Sequence, residues 1–291
     1  IARPRRFGKT LNMSMLNCFF SHQYAERADL FEGLSVWEKE DYRAIQGKYP
    51  VIFLSFADVK QDNYRDAIYK IKKIIANVYQ QFHEIGRSEA LTEVQRRQFM
   101  NVTADMDDVI AQSALQDLSY YCYLYYGRKA IILLDEYDTP MQEAYIHDYW
   151  DKFTSFVRGL FNSTFKTNPY LERALMTGIT RISKASIFSD LNNLTVVTTT
   201  SEKYREMFGF TEKEVFQALD TAGLGRQKQK IKEWYDGFTF GSSKDIYNPW
   251  SITNFLDEKK IKLYWANTSS NALISKLLRE GSKEIKTDME A

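Results

Sequence analysis

The feature of this sequence that most constrains its fold is a Gly-Lys-Thr triplet placed directly before a helical pattern. The triplet, Gly8-Lys9-Thr10, ends the basic segment of residues 3–10, and apolar residues at helical spacing predict a helix over residues 10–20. The backbone N–H groups and the positive dipole end of a helix start attract phosphate oxygens. Lys9 would then reach the β- and γ-phosphates of ATP, and the Thr10 hydroxyl would ligate Mg²⁺.

This interpretation assigns a set of nucleotide contacts and a helix face. The predicted nucleotide-binding residues are Arg5, Arg6, Phe7, Gly8, Lys9, Thr10 and Leu11. The predicted apolar stripe of the following helix consists of Leu11, Met15, Leu16 and Phe19. We also expect Lys9 to be a surface charge aimed at phosphate and not a core residue.

A second segment, far along the chain, completes the predicted site. Residues 130–134 are apolar and predict a strand, and Asp135 and Glu136 follow it directly. A carboxylate at a strand end beside a phosphate loop holds Mg²⁺ in P-loop ATPases, so Asp135 and Thr10 are the predicted metal ligands. Glu136 is the predicted catalytic residue that orients the attacking water, acting with Lys9. Taken alone, the Gly-Lys-Thr segment also fits a basic helix start, and the acidic pair also fits a solvated strand end. The occurrence of both segments in this order favours a nucleotide site.

One position departs from the usual phosphate loop. Glycine normally stands where Arg3 stands here, because the loop needs a permissive backbone that approaches phosphate closely. We therefore expect the loop to turn differently, with Pro4 stiffening it. Arg3, Arg5 and Arg6 form a local basic cluster, and a phosphate site explains that cluster.

Composition argues against several other classes of function. The 291 residues carry a formal net charge of +1, so no global field attracts nucleic acid or a membrane. No apolar run approaches the about 20 residues that a bilayer-spanning helix needs. Cys18 and Cys122 lie in apolar helical patterns typical of buried thiols in a reducing compartment, and the three histidines show no metal-ligand spacing. We therefore expect a cytoplasmic protein without a membrane partner.

Strands alternate with helices through the first 200 residues. Strands are predicted over residues 50–56, 130–134 and 174–180. Helices are predicted over residues 64–84 and 146–165, and a further helix is predicted to end just before residue 127. This alternation favours right-handed crossovers and a mostly parallel sheet. Its ligand crevice should lie at the carboxyl ends of the strands, where Lys9, Asp135 and Thr180 would converge.

A strand must also lead into the phosphate loop. Only Ile1 and Ala2 precede Arg3, so we expect that strand to lie in a segment upstream of this sequence.

The pattern changes near residue 200, where short helices with clear boundaries begin. Thr211 opens a capping box, and Asn248-Pro249 is an N-cap followed by proline at the first helical position. The predicted domains are therefore an α/β core, residues 1–200, and a small helical lid subdomain, residues 201–291.

Several blocks of the chain, in the same order, resemble the prokaryotic AAA-ATPase-like family. These blocks are residues 3–10, 134–140, 177–181, 188–194, 208–211, 234–238 and 247–251. In that family the first glycine of the phosphate loop is commonly arginine, as at Arg3. The resemblance implies a P-loop NTPase core of three layers with a mostly parallel sheet, followed by a helical lid. Longer members often carry a C-terminal restriction-endonuclease-like nuclease domain. The resemblance therefore implies a fused nuclease domain or a protein partner, but it assigns no nuclease activity to this chain.

Five residues near the predicted site have roles that the sequence leaves open. Arg181, the third predicted catalytic residue, contacts the γ-phosphate or forms a surface salt bridge. Thr177 and Thr180 are either polar sensor groups or strand-packing residues. Tyr137 and Asp138 are expected to shape the loop after the strand.

Three hypotheses for function follow. The first is an enzyme that binds Mg²⁺-ATP through Lys9 and Thr10 and activates water through Glu136. The second is a nucleotide-gated switch that hydrolyses ATP slowly or not at all and regulates a fused or partner domain. The third, a motor acting on nucleic acid, has weak support because no extended basic stripe appears beyond the loop.

Overall fold

The tertiary structure divides the chain into two units that do not follow sequence order. The computed structural model describes residues 1–179, 191 and 193–265. The first unit contains Ile1, residues 9–144 and residues 149–196, and the second contains residues 2–8, residues 145–148 and the chain from residue 197 onward. Residues 2–8, which the predicted boundary at residue 200 assigns to the core, therefore group with the second unit.

A parallel sheet forms the centre of the first unit. Its strands are β1 (Val51–Ser55), β2 (Ala130–Asp135) and β3 (Leu171–Met176), in the order β1-β2-β3. Ser55 is opposite Asp135, so β1 and β2 end at the same edge of the sheet. Every residue of β2 is buried, as expected of a central strand covered on both faces.

The backbone of Ile1 flanks the far side of β3. Its N–H donates to the Met176 carbonyl at 2.6 Å, and the Gly178 N–H donates to the Ile1 carbonyl at 3.1 Å. The Thr177 N–H, in between, points the other way and donates to Leu134 of β2 at 3.0 Å. Across this sheet the order is therefore β1, β2, β3 and Ile1, which is followed directly by the predicted phosphate loop.

Helices cover both faces of this sheet. Along residues 9–161 they are α1 (Lys9–Phe20), α2 (Glu40–Ile45), α3 (Tyr64–Gln81), α4 (His83–Arg87), α5 (Glu93–Met100), α6 (Asp108–Tyr126), α7 (Thr139–Ile146) and α8 (Trp150–Phe161). Ile52 and Ile132 pack in a large core with buried residues of α3, α6 and α8. Val51 and Ile131, on the opposite face, pack with Met13 of α1. This layering is compatible with the predicted α/β core, and none of the helices in the described ranges is long and apolar enough to cross a membrane.

Several boundaries differ from the sequence predictions. The third strand begins at Leu171 and not at residue 174, because the polar pair Glu172-Arg173 hides its start in the sequence pattern. The helix predicted to begin at residue 146 begins only at Trp150, as α8, because Asp148 adopts a φ of 60°, which no α-helix continues through; Ile146 is instead the last residue of α7.

The apolar stripe predicted for α1 is half wrong. Phe19 is buried and Leu16 packs against the sheet, but Leu11 and Met15 are 65% and 48% exposed. The buried face of α1 instead carries Lys9 and Met13. These two residues are four positions apart, so they lie on the same side of the helix.

The second unit contains a sheet that the sequence analysis missed. Three short strands, β4 (Phe210–Thr211), β5 (Phe238–Phe240) and β6 (Ser243–Tyr247), pair antiparallel in the order β4-β6-β5. The helices of this unit are α9 (Glu212–Thr221), α10 (Lys228–Tyr235) and α11 (Pro249–Glu258). Strands of two to five residues are too short to show periodicity. The subdomain predicted as helical therefore mixes helices with a sheet.

The helix starts predicted in this unit are confirmed. Thr211 and Glu214 form a capping box at α9, with the two reciprocal side-chain contacts that define it. Asn248 caps α11, and Pro249 occupies its first turn.

Asp117 in α6 generates a prediction about pH and stability. Burial raises the pKa of its carboxyl above the ordinary value, opposed by the Ser113 hydroxyl, which donates to it at 2.9 Å. A raised folded-state pKa contributes stability that is present below the unfolded carboxyl pKa of about 4 and is lost as the pH rises through the folded-state pKa. Asp117→Asn should therefore melt a few degrees above the parent at pH 7 and lose this advantage below about pH 4. Thermal melts of both proteins across this range, with exposed Asp105→Asn as control, test it; a constant difference would contradict it.

Candidate functional site

The buried carboxylate of Asp135 joins three segments of the first unit. Asp135 is the last residue of β2 and only 1% exposed. Its Oδ2 accepts a hydrogen bond from Thr10 Oγ1 at 2.6 Å, across 125 residues of sequence. Its Oδ1 accepts from the Thr177 hydroxyl and from the Glu136 N–H, the latter at 3.0 Å. The structure thus brings together Thr10 and Asp135, the two predicted metal ligands.

The fold explains why these side chains meet. Strands β2 and β3 are parallel, so Asp135 and Thr177 lie at the same edge of the sheet. Thr10 lies in the first turn of α1, which packs on β2 through Met13 against Ile131. The apolar contact fixes the helix on the sheet, and the helix start then reaches the strand end.

The donor set fits a small, hard divalent cation. Hydroxyl and carboxylate oxygens are the ligands that Mg²⁺ prefers, and Mg²⁺ commonly uses one or two carboxylates together with substrate phosphates. In the described ranges, residues 1–179, 191 and 193–265, no three His, Cys, Asp or Glu side chains are grouped to hold a metal. Thr10 itself is an exposed residue, and its hydroxyl donates to the buried Asp135. A Mg²⁺ ion held by these two residues would complete its shell with phosphate and water oxygens.

Lys9 is buried, contrary to the expectation of a surface charge. It is 6% exposed and is the first residue of α1, on the same side of the helix as Met13. Taking an ammonium group out of water is costly, so a lysine is rarely buried unless its charge interacts with another group. The fold therefore encloses Lys9 at the start of α1, and sequence polarity did not predict this burial.

Glu136 leaves the line of β2 through an unusual backbone turn. Its φ is 49°, in the left-handed region, which costs a residue with a side chain roughly 1–2 kcal/mol. Its Oε2 accepts from Thr139 Oγ1 at 3.1 Å, and its side chain is half-buried. Strained backbone of this kind is concentrated at functional sites.

Tyr137 and Asp138 lie in the loop after β2, which they were expected to shape, and they also hold the loop after β3. The Tyr137 N–H donates to the Thr177 carbonyl at 3.1 Å, and Asp138 Oδ2 accepts from the Ile179 N–H at 2.9 Å. Gly178 is required between them, because a Cβ there would lie 2.6 Å from Asp138 Oδ1. The next two residues, the predicted Thr180 and Arg181, lie outside the described residues.

Arg3 is a structural residue of the second unit and not a phosphate ligand, which corrects the interpretation of the basic cluster. Its side chain is fully buried. One guanidinium nitrogen donates to the Thr198 carbonyl at 2.6 Å and the other to the Tyr204 carbonyl at 3.0 Å. Its Cζ also lies 4.7 Å from the centre of the Phe240 ring. The side chain at the usual glycine position therefore points into the protein, which explains how the loop accommodates it.

The remaining loop residues divide into anchors and exposed groups. Phe7 is 1% exposed and packs edge-on against Phe238, with ring centres 4.8 Å apart. Arg6 is exposed and has a φ of 67°, and Gly8 has a φ of 73°. Positive φ values on either side of Phe7 are the kind of alternation from which anion-binding turns are built. Any contact of Phe7 with a nucleotide must come from its backbone, because its side chain is buried.

Thr177 is one of the residues whose role the sequence leaves open. The alternatives were a polar sensor or strand packing, and its hydroxyl in fact holds Asp135. The sequence signal that could have indicated this role is the position of Thr177 directly after an apolar strand, at the same edge of the predicted sheet as Asp135.

Comparison with known proteins places this site within a family. The family model described as predicted AAA-ATPase, the AAA-ATPase-like family, matches residues 1–188, which contain Thr10, Asp135, Glu136 and Thr177. An uncharacterized protein from the vnfD 5′ region of Azotobacter chroococcum mcd 1 is 25% identical over 281 residues, which are 96% of this chain. The chain spans about half, 49%, of the length of that relative. No solved structure matches the chain.

The role of Arg3 can be tested by stability. Arg3→Met keeps an apolar stem but leaves the Thr198 and Tyr204 carbonyls without their guanidinium donor. We expect the free energy of unfolding to fall by about 1–3 kcal/mol, the usual cost of a buried polar group that loses its partner. Urea denaturation measures it, with exposed Arg226→Met in the same unit as control. An unfolding free energy equal to that of the control would show that Arg3 is not a structural anchor.

Proposed function

Because the chain belongs to the family of predicted AAA-ATPases, we propose that it binds ATP with Mg²⁺ and hydrolyses it. The observation that carries the proposal is the 2.6 Å hydrogen bond between Thr10 and Asp135. A loop hydroxyl beside a strand-end carboxylate is the arrangement by which P-loop ATPases hold Mg²⁺.

The phosphate groups of ATP would be bound by Lys9 and by the backbone N–H groups at the start of α1. Four N–H groups at a helix start lack intrahelical partners, and the helix dipole adds positive potential there. Thr10 and Asp135 would hold the Mg²⁺. The ion, when bound, neutralises charge on the β- and γ-phosphates.

Glu136 is the proposed residue that orients and deprotonates the attacking water. It directly follows Asp135 but is half-buried, whereas Asp135 is enclosed by hydroxyl and amide donors. The left-handed turn at Glu136 and the hydrogen bond from Thr139 give its carboxylate a defined direction. Arg181 remains the proposed group that contacts the γ-phosphate.

A switch that regulates another domain is the second candidate function. The curated relative is about twice as long as the stretch that this chain covers, which leaves room in that protein for a further domain. A fused nuclease domain or a protein partner is therefore proposed as what nucleotide binding controls, and nucleic acid as a partner of that domain. Cys18 and Cys122 are free thiols, which are typical of a reducing compartment, so we propose that the protein acts in the cytoplasm.

Glu136→Gln distinguishes an enzyme from a switch. The amide keeps the size and polarity of the side chain but lacks its basicity, so the full-length variant should bind ATP as well as the parent. Its turnover should fall by roughly 10²-fold or more, the scale of a lost general base. Phosphate release measures turnover, and Glu172→Gln, the same change at an exposed residue of β3, is the control. If the parent itself hydrolyses no ATP, the result favours the switch. If the parent is active and the variant hydrolyses ATP equally fast, Glu136 has no role in catalysis.

Lys9→Met tests the phosphate loop. Methionine fills much of the buried volume of the lysine stem, so the fold should persist while the phosphate-binding charge is lost. We expect ATP affinity to fall at least about tenfold, which corresponds to 1.4 kcal/mol, as measured by calorimetry. Far-UV dichroism and melting confirm folding, and Lys48→Met, at an exposed position, is the control. A folded variant with unchanged ATP affinity would remove Lys9 from the nucleotide site.

A further inference from the structure

The backbone of Arg5 and Arg6 is held by side chains from the other end of the sequence. The Asn248 amide nitrogen lies 3.4 Å from the Arg5 carbonyl and 3.4 Å from the Arg6 carbonyl. The Trp265 indole N–H donates to the same Arg5 carbonyl at 3.1 Å. The Arg6 guanidinium stacks over Trp250, with 4.4 Å between Cζ and the ring centre. All of these residues belong to the second unit.

Asn248 uses both ends of its amide, and this fixes its orientation. It is 2% exposed, and its Oδ1 accepts from the Ser251 N–H at 3.1 Å, which caps α11. Only the oxygen of the amide can accept that bond, so the NH₂ group must face the loop carbonyls. One buried side chain thus couples the start of α11 to the predicted phosphate loop.

The loop needs such support because its backbone is strained. Arg6 adopts a φ of 67°, a left-handed conformation that a residue with a side chain keeps only when its surroundings enforce it. The next residue, Phe7, is buried, and its ring packs against the rings of Phe238 and Phe240. Asn248 and Phe7 therefore hold the strained turn at Arg6, which continues through Gly8 directly into Lys9.

We propose that Asn248, aided by Trp265, is a positioning residue for nucleotide binding: it holds the phosphate loop in its anion-binding turn without touching the nucleotide. This inference rests on the proposed function. It assigns to the Asn248-Pro249 pair a role beyond capping a helix.

Two substitutions separate the loop contact from the helix cap. Asn248→Ser keeps an N-cap hydroxyl but is too short to reach the loop, and Asn248→Asp keeps the cap oxygen but places an acceptor against the carbonyls. The serine variant also shows whether any effect of the aspartate is due only to its charge. Thr211→Ala is the matched control, because it removes the cap of α9 in the same unit.

The full-length parent and these variants are titrated with Mg²⁺-ADP by calorimetry, and each is also melted. Asn248→Ser and Asn248→Asp should raise the Kd at least about tenfold with melting temperatures close to that of the parent. Thr211→Ala should lower the melting temperature and leave the Kd unchanged. Hydrogen exchange without nucleotide should quicken at residues 6–9 in Asn248→Ser and stay unchanged in α9.

The outcomes keep this inference apart from the proposed function. If the parent binds Mg²⁺-ADP and Lys9→Met weakens it while both Asn248 variants bind as the parent does, the positioning role is overturned and the nucleotide site stands. If the Asn248 variants lose affinity only in proportion to lost thermal stability, as Thr211→Ala would then also do, the role is structural and the inference fails. If the parent binds neither Mg²⁺-ADP nor Mg²⁺-ATP, both proposals fail together.

Discussion

The hydrogen bonds to the buried Asp135 carboxylate are the interaction on which the site depends. A carboxylate taken out of water must be matched by donors, and here the donors are the hydroxyls of Thr10 and Thr177 and the Glu136 N–H. Hydrogen bonds to an ionised acceptor are roughly twice as strong as neutral ones. They therefore fix the start of α1 and the end of β3 on the end of β2. Thr10 and Asp135, which one of these hydrogen bonds joins, are also the proposed Mg²⁺ ligands, so the stability of this strand edge and the chemistry proposed for it share two side chains.

The residues proposed for function lie where the backbone departs from regular conformations. Arg6 lies in the predicted phosphate loop and Glu136 directly follows β2, and both have positive φ values. Each is held by neighbours: Arg6 between Asn248 and Phe7, and Glu136 by the hydrogen bond from Thr139. Strain of this kind persists only where surrounding contacts over-determine it. The contacts are therefore part of the proposed site as much as the residues that would meet the nucleotide.

Arg3 shows how one substitution changes the construction of a phosphate loop. A glycine at this position would let the backbone move freely, whereas Arg3 inserts a guanidinium into the second unit and binds the carbonyls of Thr198 and Tyr204. The beginning of the loop is thereby fixed by the segment after residue 197, and its middle by Asn248 and Trp265. Residues 2–8 belong to the second unit for this reason, although they precede α1 directly.

The features that depend on neighbouring residues could be predicted from the sequence. The strands around residues 51–55 and 130–135, the caps at Thr211 and Asn248, and the pairing of Thr10 with Asp135 follow from local patterns and from the rule that parallel strands end at one edge. The burial of individual side chains, in contrast, depends on long-range packing and could not be predicted. Lys9 and Arg3 are buried and Leu11 is exposed, the reverse of what their polarity predicts. The packing of α1 on the sheet, and of Arg3 against distant carbonyls, outweighs the preference of polar side chains for water and of apolar side chains for the core. The sheet of the second unit was hidden for the same reason: its strands are too short to carry a pattern and are defined by pairing between residues far apart in the chain.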